Sequence, residues 1–310
     1  MGHAAGYWLQ QALNVVQLAS FYLPLALAFA LIQGITRRVF LSLGDLAMFG
    51  SFAAIYVCLD AFLRGFSDGP AVLLSLGAAL ACGATMGVAV SRLVLGKALL
   101  AHPMAFMIAS VGLAIVLQET MRLQSSSRNI WIPPPFQGRF IFELQGSYPL
   151  RLSTMTWIAA GVSILFVACV LLLVTRTQLG RQWRASAQSR SLSSLCGVDV
   201  NHVAALTFGL AGALAGLTGW VSSISYGGAS FSIGLAVGFK AMFASVIGGF
   251  GTLRGACLGA LILAVVEVLW SAFFPGQYRE VAVFTVIIVC LILKPEGLLG
   301  EKDRWSREQS

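Results

Sequence analysis

Residues 203–225 read VAALTFGLAGALAGLTGWVSSIS, an uncharged run in which Gly209, Gly212, Gly216 and Gly219 recur every three or four positions. A helix needs roughly 20 apolar residues to cross the hydrocarbon core of a membrane. Glycines at this spacing share one face of a helix, where a neighbouring helix can approach closely. The stretch therefore predicts a membrane-spanning helix with a packing face made of glycines.

The rest of the chain has the same character. Of its 310 residues, 58% are hydrophobic and only 10% are charged. A soluble fold has no interior large enough for so much apolar surface. The net charge is +8, but the basic residues lie almost entirely between apolar runs, as they do in loops of membrane proteins. The composition predicts an all-α polytopic membrane protein and gives no reason to expect binding to nucleic acid.

Charge-poor runs of sufficient length predict nine spans. They are 12–34, 40–62, 70–91, 101–122, 154–175, 203–225, 232–249, 253–273 and 278–294. The boundary between the seventh and eighth is the weakest, because only the glycine-rich segment 248–252 divides one continuous apolar stretch. The alternative is an even number of spans with one segment that enters the membrane without crossing it. We therefore expect eight or nine transmembrane helices.

The basic residues predict the orientation of the chain. If segment 176–202 is cytoplasmic, thirteen lysines and arginines lie on that side and six on the other, with Lys240 inside a span. Cytoplasmic loops carry the excess of basic residues, so we expect the N-terminus outside and the C-terminus inside. Residues 1–300 then form one transmembrane domain, with an external loop at 124–152 and a charged cytoplasmic tail at 301–310.

The cytoplasmic loop 176–202 predicts one short helix that ends at Gly197, a residue suited to a helix C-terminus. Such a helix has two possible placements. Its arginines favour the lipid surface, and its apolar residues favour a partner protein.

A short motif occurs twice in the chain. Ser42-Leu-Gly44 recurs as Ser232-Ile-Gly234, each time shortly after a phenylalanine. The second copy lies five predicted spans further on, an odd number, so it is inverted in the membrane. Inverted repeats are typical of transporters, and glycine-rich helix starts at their interface can hold a substrate carboxylate. Ser42, Gly44, Ser232 and Gly234 are therefore candidates for the translocation pathway, with close helix packing as the alternative.

Four ionisable residues fall within or at the margins of the spans: Asp45, Glu119, Lys240 and Glu267. A charge at the bilayer centre costs at least ~2.5 kcal/mol, so each should face protein, water or a partner charge. Lys240 and Glu267 lie on neighbouring spans, where they form a structural ion pair or contact a zwitterionic substrate. Asp45 and Glu119 lie nearer the span ends, where capping or a solvated margin is expected. Asp45, Lys240 and Glu267 join the candidate pathway residues.

Enzymatic chemistry has little support in the sequence. His3, His102 and His202 are isolated, so they indicate neither a metal site nor a catalytic triad. No Gly-x-x-x-x-Gly-Lys-Ser/Thr loop is present, so the chain is expected to bind no ATP itself and to need no cofactor of its own. An ion-coupled secondary transporter and an intramembrane enzyme stay open as alternatives.

Four stretches of sequence carry a resemblance to a known family. Residues 34–51 read GITRRVFLSLGDLAMFGS, and residues 180–185 read GRQWRA ahead of Gly197-Val198. Residues 240–252 read KAMFASVIGGFGT, and residues 294–300 read KPEGLLG. In this order they resemble the smaller, H-subunit type of permease from branched-chain amino-acid ABC transporters, over about residues 8 to 300.

The resemblance implies a set of partners in the bacterial inner membrane. Such an importer contains two permeases, usually different chains, two cytoplasmic ATPases that bind ATP and Mg, and an external solute-binding protein. The implied cargo is an amino acid, branched aliphatic ones first, although close relatives carry urea, short amides or aromatic acids. The cytoplasmic loop would then be a coupling helix in a groove of the ATPase, with contacts from Arg181, Trp183, Arg184, Leu192, Leu195, Cys196 and Gly197.

Overall fold

The computed structural model of the chain describes residues 2–92, 103–126, 128–131, 139–142, 150–294 and 297–300. Its α-helices within these ranges are α1 (Gly2–Thr36), α2 (Leu43–Leu63), α3 (Asp68–Val90), α4 (Pro103–Gln124), α5 (Thr154–Arg176), α6 (Gln178–Gln188), α7 (Arg190–Leu195), α8 (Val200–Tyr226), α9 (Ile233–Gly248), α10 (Leu253–Phe273) and α11 (Arg279–Leu293). A 3-10 turn, Gly276–Tyr278, leads into α11.

The predicted all-α membrane fold is confirmed. Across the described ranges, eight helices are long and apolar enough to cross a membrane, namely α1, α2, α3, α4, α5, α8, α10 and α11 with its preceding turn. The predicted span 232–249 is present as α9, which has 16 residues. A helix of that length measures about 24 Å and falls short of the ~30 Å hydrocarbon core. The seventh predicted span is therefore a helix that does not cross by itself.

The two ends of the described chain lie at opposite ends of the helix bundle. Near the start of α1, the hydroxyl of Tyr7 donates to the carbonyl of Ala272 at the end of α10, at 3.1 Å. After α11, the N–H of Leu298 donates to the carbonyl of Ile247 at the end of α9, at 2.8 Å. Chain ends on opposite sides require an odd number of crossings. The number is odd if α9 and the segment before it cross together, in addition to the eight long helices of the described ranges. Which end faces the cytoplasm stays a prediction.

Short strands lie at the end of the bundle that holds the start of α1. β1 (Ile130–Trp131) pairs antiparallel with β4 (Gly228–Ala229), which directly follows α8. β2 (Arg139–Phe142) pairs antiparallel with β3 (Leu150–Ser153), which leads into α5. The described part of the predicted loop 124–152 is thus tied to the helix ends by backbone hydrogen bonds. The predicted tail 301–310 lies outside the described residues.

The predicted glycine face of α8 is confirmed. A Cβ atom on Gly212 would overlap the carbonyl oxygen of Gly83 in α3, and one on Gly83 would overlap the carbonyl oxygen of Gly212. Gly87 and Gly216 make equivalent contacts with Phe208 and α3. Since no side chain fits between these backbones, the glycines set the distance between α3 and α8.

Helix packing follows the pattern of two interlocked copies. α1, α2 and α3 correspond to α8, α9 and α10, if the two Ser-x-Gly motifs are aligned. α3 of the first copy packs along α8 of the second, and α10 of the second packs along α1 of the first. Two inverted copies related by an axis in the membrane plane exchange partners in this way.

The single cytoplasmic helix predicted before Gly197 is wrong, because the structure has two helices, α6 and α7. Ser189 between them is extended, with φ −154° and ψ 120°, and its hydroxyl accepts the N–H of Leu192 at 3.4 Å. A serine in this conformation ends one helix and caps the next. The predicted end agrees with the structure, since Gly197 follows the C-cap Cys196 with φ +80°.

The α3–α8 contact can be tested by adding one carbon. We expect Gly212→Ala to destabilise the chain by about 1–3 kcal/mol, because the new methyl group meets the backbone of α3. Gly77→Ala in the same helix pair is the matched control, because its Cβ would meet no atom within 4 Å. Thermal unfolding in mild detergent measures both variants, and equal melting temperatures would contradict the packing role.

Candidate functional site

The two Ser-x-Gly motifs begin two helices that touch each other. Ser42 is the N-cap residue of α2, and Ser232 is the N-cap residue of α9. A Cβ atom on Gly44 would overlap the carbonyl oxygen of Gly234. Close packing, the alternative considered for these glycines, is therefore present. The hydroxyl of Ser42 is buried and finds no hydrogen-bond partner within the described residues, whereas the Ser232 side chain is exposed.

The first turn of α2 lies inside the bundle. Phe40, just before α2, packs edge-on against Phe208 with ring centroids 5.4 Å apart. Phe208 lies in the third turn of α8, so the chain turns back along α8 after leaving α1. α2 and α9 thus start next to each other within the bundle, as the discontinuous helices of transporters do.

Asp45 lies at this junction of helix starts. It is 3% exposed, so the solvated margin expected for it is wrong, while a capping role remains open. A Cβ atom on Gly234 would lie 2.9 Å from its Oδ1. No lysine, arginine or histidine in the described part of the chain forms an ion pair with Asp45. Its carboxyl group lies at the starts of α2 and α9, where helix dipoles favour a negative charge.

Lys240 and Glu267 form the predicted ion pair. Lys240 Nζ lies 3.3 Å from Glu267 Oε1, and the two side chains are 8% and 2% exposed. Lys240 Nζ also lies 2.6 Å from Glu280 Oε1, and Arg279 Nε lies 3.1 Å from Glu267 Oε1. The hydroxyl of Tyr22 donates to Glu267 Oε2 at 2.8 Å. These five residues, the charge cluster, join α1, α9, α10 and α11 and carry two positive and two negative charges.

Sequence reasoning found two members of the charge cluster and missed three. Arg279 and Glu280 lie at the start of the last predicted span, 278–294, where nothing in a single sequence shows that they contact α9 and α10. Tyr22 lies 245 positions from Glu267, inside an apolar run. A signal was available, because a buried lysine and glutamate need further donors and acceptors, and a tyrosine in a span is one source.

A cavity of about 340 Å³ opens beside the charge cluster. It lies between the first half of α1 and the last turns of α8 and α10, at the same end of the bundle as the strands. Its lining combines uncharged polar side chains with an apolar part of similar extent. The lining includes Gln11, Asn14, Gln17, Leu18, Val221, Glu267, Val268, Ser271 and Arg279.

At the opposite end, Trp183 fixes α6 to α1. Its Nε1 donates to the carbonyl of Leu31 at 3.3 Å, and its ring covers Gly34 so closely that a Cβ there would overlap the ring. Arg184 donates to the carbonyl of Val174 at the end of α5. Trp183 and Arg184, two of the residues predicted to contact a partner protein, thus contact the helix bundle and attach α6 to the spans.

Two arginines, one directly after α1 and one at the start of α7, complete this attachment. Arg37 donates to the carbonyl of Gln188 at 2.9 Å, and Arg190 donates to the carbonyl of Ile35 at 3.2 Å. Burial and, to a smaller extent, the positive charge of Arg38 lower the pKa of Arg190. The end of α1 and the α6–α7 junction are therefore held by hydrogen bonds in both directions.

The outward side of these helices exposes two large apolar side chains. Leu192 and Leu195 on α7 are 64% and 83% exposed. Arg181 and Arg184 on α6 are also exposed, as are Cys196 and Gly197 after α7. Six of the seven residues predicted to contact a partner are therefore accessible, and the seventh, Trp183, is buried.

The remaining candidates have simple roles. Glu119 pairs with Arg122 one turn later on a half-exposed surface of α4, in agreement with the predicted solvated margin. Within the described ranges, no group of three or more His, Cys, Asp or Glu side chains is placed to hold a metal ion. All six cysteines lie in the described part of the chain and are free thiols.

Comparison with known proteins gives a consistent result. The family described as "Branched-chain amino acid transport system / permease component" matches residues 11–292. The high-affinity branched-chain amino acid transport system permease protein LivH of Salmonella typhimurium is 29% identical over 96% of this chain and 97% of its own length. LivH of Escherichia coli K12 and BraD of Pseudomonas aeruginosa, which has the same description, are each 28% identical over the same shares of both chains.

Glu267 is the hub of the charge cluster, and its removal tests the cluster's energetic role. We expect Glu267→Gln to lower the stability by about 3–5 kcal/mol, because it leaves buried positive charge without its partner. Glu280→Gln is the matched control, with a smaller expected loss, since Glu280 is 52% exposed and Lys240 keeps the buried Glu267 as its partner. Thermal unfolding in detergent measures both, and a loss from Glu280→Gln as large as that from Glu267→Gln would contradict this assignment.

Proposed function

This chain belongs to the family of permease components of branched-chain amino acid transport systems, and from that premise we propose that it is the membrane subunit of an ATP-driven amino-acid importer. Its family makes it a multi-pass transport component rather than an enzyme. The observation that carries the proposal is the match over nearly the whole chain to LivH and BraD. We propose leucine, isoleucine and valine as the first cargoes, with urea, short amides and aromatic acids as alternatives.

The proposed importer has four further subunits in and around the bacterial inner membrane. A second permease, a different chain, pairs with this one. Two cytoplasmic ATPases bind ATP and Mg, and an external solute-binding protein delivers the cargo. This chain supplies no residues for ATP in the proposal, so the energy of hydrolysis must reach it through a protein contact.

α6 and α7 are the proposed contact with the ATPase. The two leucines of α7 offer an apolar surface to a groove, while Trp183 and Arg184 hold α6 on α1 and α5. A movement of the ATPase is then passed to the spans as a rigid-body displacement. A helix lying on lipid is less well supported, because Arg190 and Arg184 are turned toward backbone carbonyls of the bundle.

The proposed translocation pathway follows the interface between the two copies. Its candidate residues are Ser42, Gly44, Asp45, Ser232, Gly234, Lys240 and Glu267. Support comes from the meeting of two helix starts at Gly44 and Gly234, where dipole ends converge. Lys240, two turns further along α9, joins this junction to the charge cluster.

The proposed assembly is tested by purification at native expression. We expect the tagged chain to bring down a second permease and two ATPases with Gly-x-x-x-x-Gly-Lys-Ser/Thr loops, identified by mass spectrometry. Reconstituted with its solute-binding protein, the complex should import leucine only when ATP is present inside the proteoliposomes. Uptake that survives ATP depletion but stops when an ion gradient is removed would show an ion-coupled transporter instead.

The proposed contact between α7 and the ATPase is tested by introducing one negative charge on α7. We expect Leu195→Asp to abolish the stimulation of ATPase activity by loaded binding protein, because a carboxylate cannot enter an apolar groove. Membrane insertion should be unchanged, since Leu195 is 83% exposed. Asn201→Asp, at an exposed position six residues later, adds the same charge without removing an apolar side chain. Normal stimulation of the Leu195→Asp complex would overturn the placement.

A further inference from the structure

The cavity beside the charge cluster has a polar wall that an apolar span does not need for packing. Gln11, Asn14 and Gln17 follow each other at intervals of three on α1 and all line it. Two of these side chains are linked, since Asn14 Nδ2 donates to Gln11 Oε1 at 3.2 Å. Polar side chains in a span normally face water or a ligand. This stripe therefore marks the cavity as a wet compartment.

Arg279 supplies the positive charge of the cavity lining. Its side chain is 45% exposed, and its Nε lies 3.1 Å from Glu267 Oε1 in an ion pair. A guanidinium group has about five N–H donors, and its fork matches a carboxylate. The ion pair with Glu267 holds the group at the cavity wall, and because the side chain is not buried, it has N–H donors available for an anion that enters the cavity.

Glu267 supplies the negative charge at the deep end. Its Oε1 accepts from Lys240 and forms an ion pair with Arg279, and its Oε2 accepts from Tyr22. A carboxylate has about four acceptor directions, so within the described residues one direction on Oε2 is unused by these three partners. An ammonium group that reaches Glu267 through the cavity finds an acceptor there.

The cavity also has an aliphatic wall. Leu18 of α1, Val221 of α8 and Val268 of α10 face the same space. The cavity volume of about 340 Å³ lies at the lower end of the range of small-molecule sites. A positive group, a negative group and an aliphatic wall in one small compartment match the three parts of an aliphatic amino acid.

We propose that this cavity is a receiving site for a zwitterionic aliphatic amino acid, an inference that rests on the amino-acid import proposed above. Arg279 binds the carboxylate, Glu267 Oε2 accepts the ammonium group, and the wall of Leu18, Val221 and Val268 contacts the side chain. On the predicted orientation the cavity opens at the outer end of the bundle, where a solute-binding protein releases its cargo. Lys240, Glu280 and Tyr22 are positioning residues that hold the two charged groups.

The site is tested by leucine binding to the purified complex without its solute-binding protein. Radiolabelled leucine should bind to the complex in lipid nanodiscs, and both 4-methylpentanoate and 3-methylbutylamine should compete less well than leucine, because each lacks one charged group. Ser271→Leu fills the cavity and should weaken leucine binding at least about tenfold. The serine hydroxyl bonds only to the carbonyl of its own helix at Glu267, so little tertiary bonding is lost.

Thr285→Leu is the matched control. Thr285 is exposed on α11 and makes the same kind of bond, to the carbonyl of Val281. We expect leucine binding to be unchanged in this variant. Equal binding by the Ser271→Leu complex and the native complex would overturn the proposed site.

The role of Arg279 in binding the leucine carboxylate is tested separately from its role in stability. Arg279→Gln should lower the affinity for leucine about tenfold or more and remove competition by 4-methylpentanoate, while Arg279→Lys should restore part of both. A purely structural role would change the melting temperature without changing which analogue competes. If the native complex imports leucine with ATP and yet shows no leucine binding here, the site is wrong and the import function stands. If it imports no amino acid, the proposed function itself fails.

Discussion

Contact between helix backbones at glycines is the constraint on which this bundle depends. Inside a membrane the lipid tails are as apolar as leucine, so helices associate through close packing rather than by exclusion from water. Gly83 and Gly212 bring α3 and α8 together, and Gly44 and Gly234 bring α2 and α9 together. The second contact also fixes where α9 starts, and thereby the depth at which Lys240 meets its partners. The position of Lys240 in the bundle therefore depends on the glycine contact between α2 and α9.

The charge cluster illustrates how a bundle carries ionised groups at low cost. Glu267 is almost fully buried, yet its carboxylate has three partners from three different helices, namely Lys240, Arg279 and Tyr22. Burial of a single charge is expensive, but a neutral set with matched donors is tolerated. The same set leaves one positive and one negative group at the wall of a cavity. Structural balance and the proposed ligand recognition are therefore assigned to the same side chains.

Local features of the fold were predictable from the sequence, whereas contacts between segments far apart in the chain were not. Spans follow from runs of apolar residues, and the glycine face of α8 follows from helical spacing, because both are properties of one segment. The Lys240–Glu267 pair was predictable because neighbouring spans are forced to meet. Arg279 and Tyr22 reach Glu267 only through the arrangement of distant helices. The break at Ser189 was missed because helix-forming residues surround it, and one serine cap outweighs them.

The order of the charge cluster along the chain has a consequence for biosynthesis. Lys240 is translated 27 residues before Glu267 and 40 residues before Glu280, its two acidic partners. α9 is also too short to cross alone and would enter the lipid with an unpaired ammonium group, at a cost of about 2.5–3.5 kcal/mol. The ammonium group gains a buried partner when α9 and α10 enter together as a hairpin, because Glu267 lies on α10. The first acidic partner of Lys240 is thus carried by the helix that directly follows α9 in the chain.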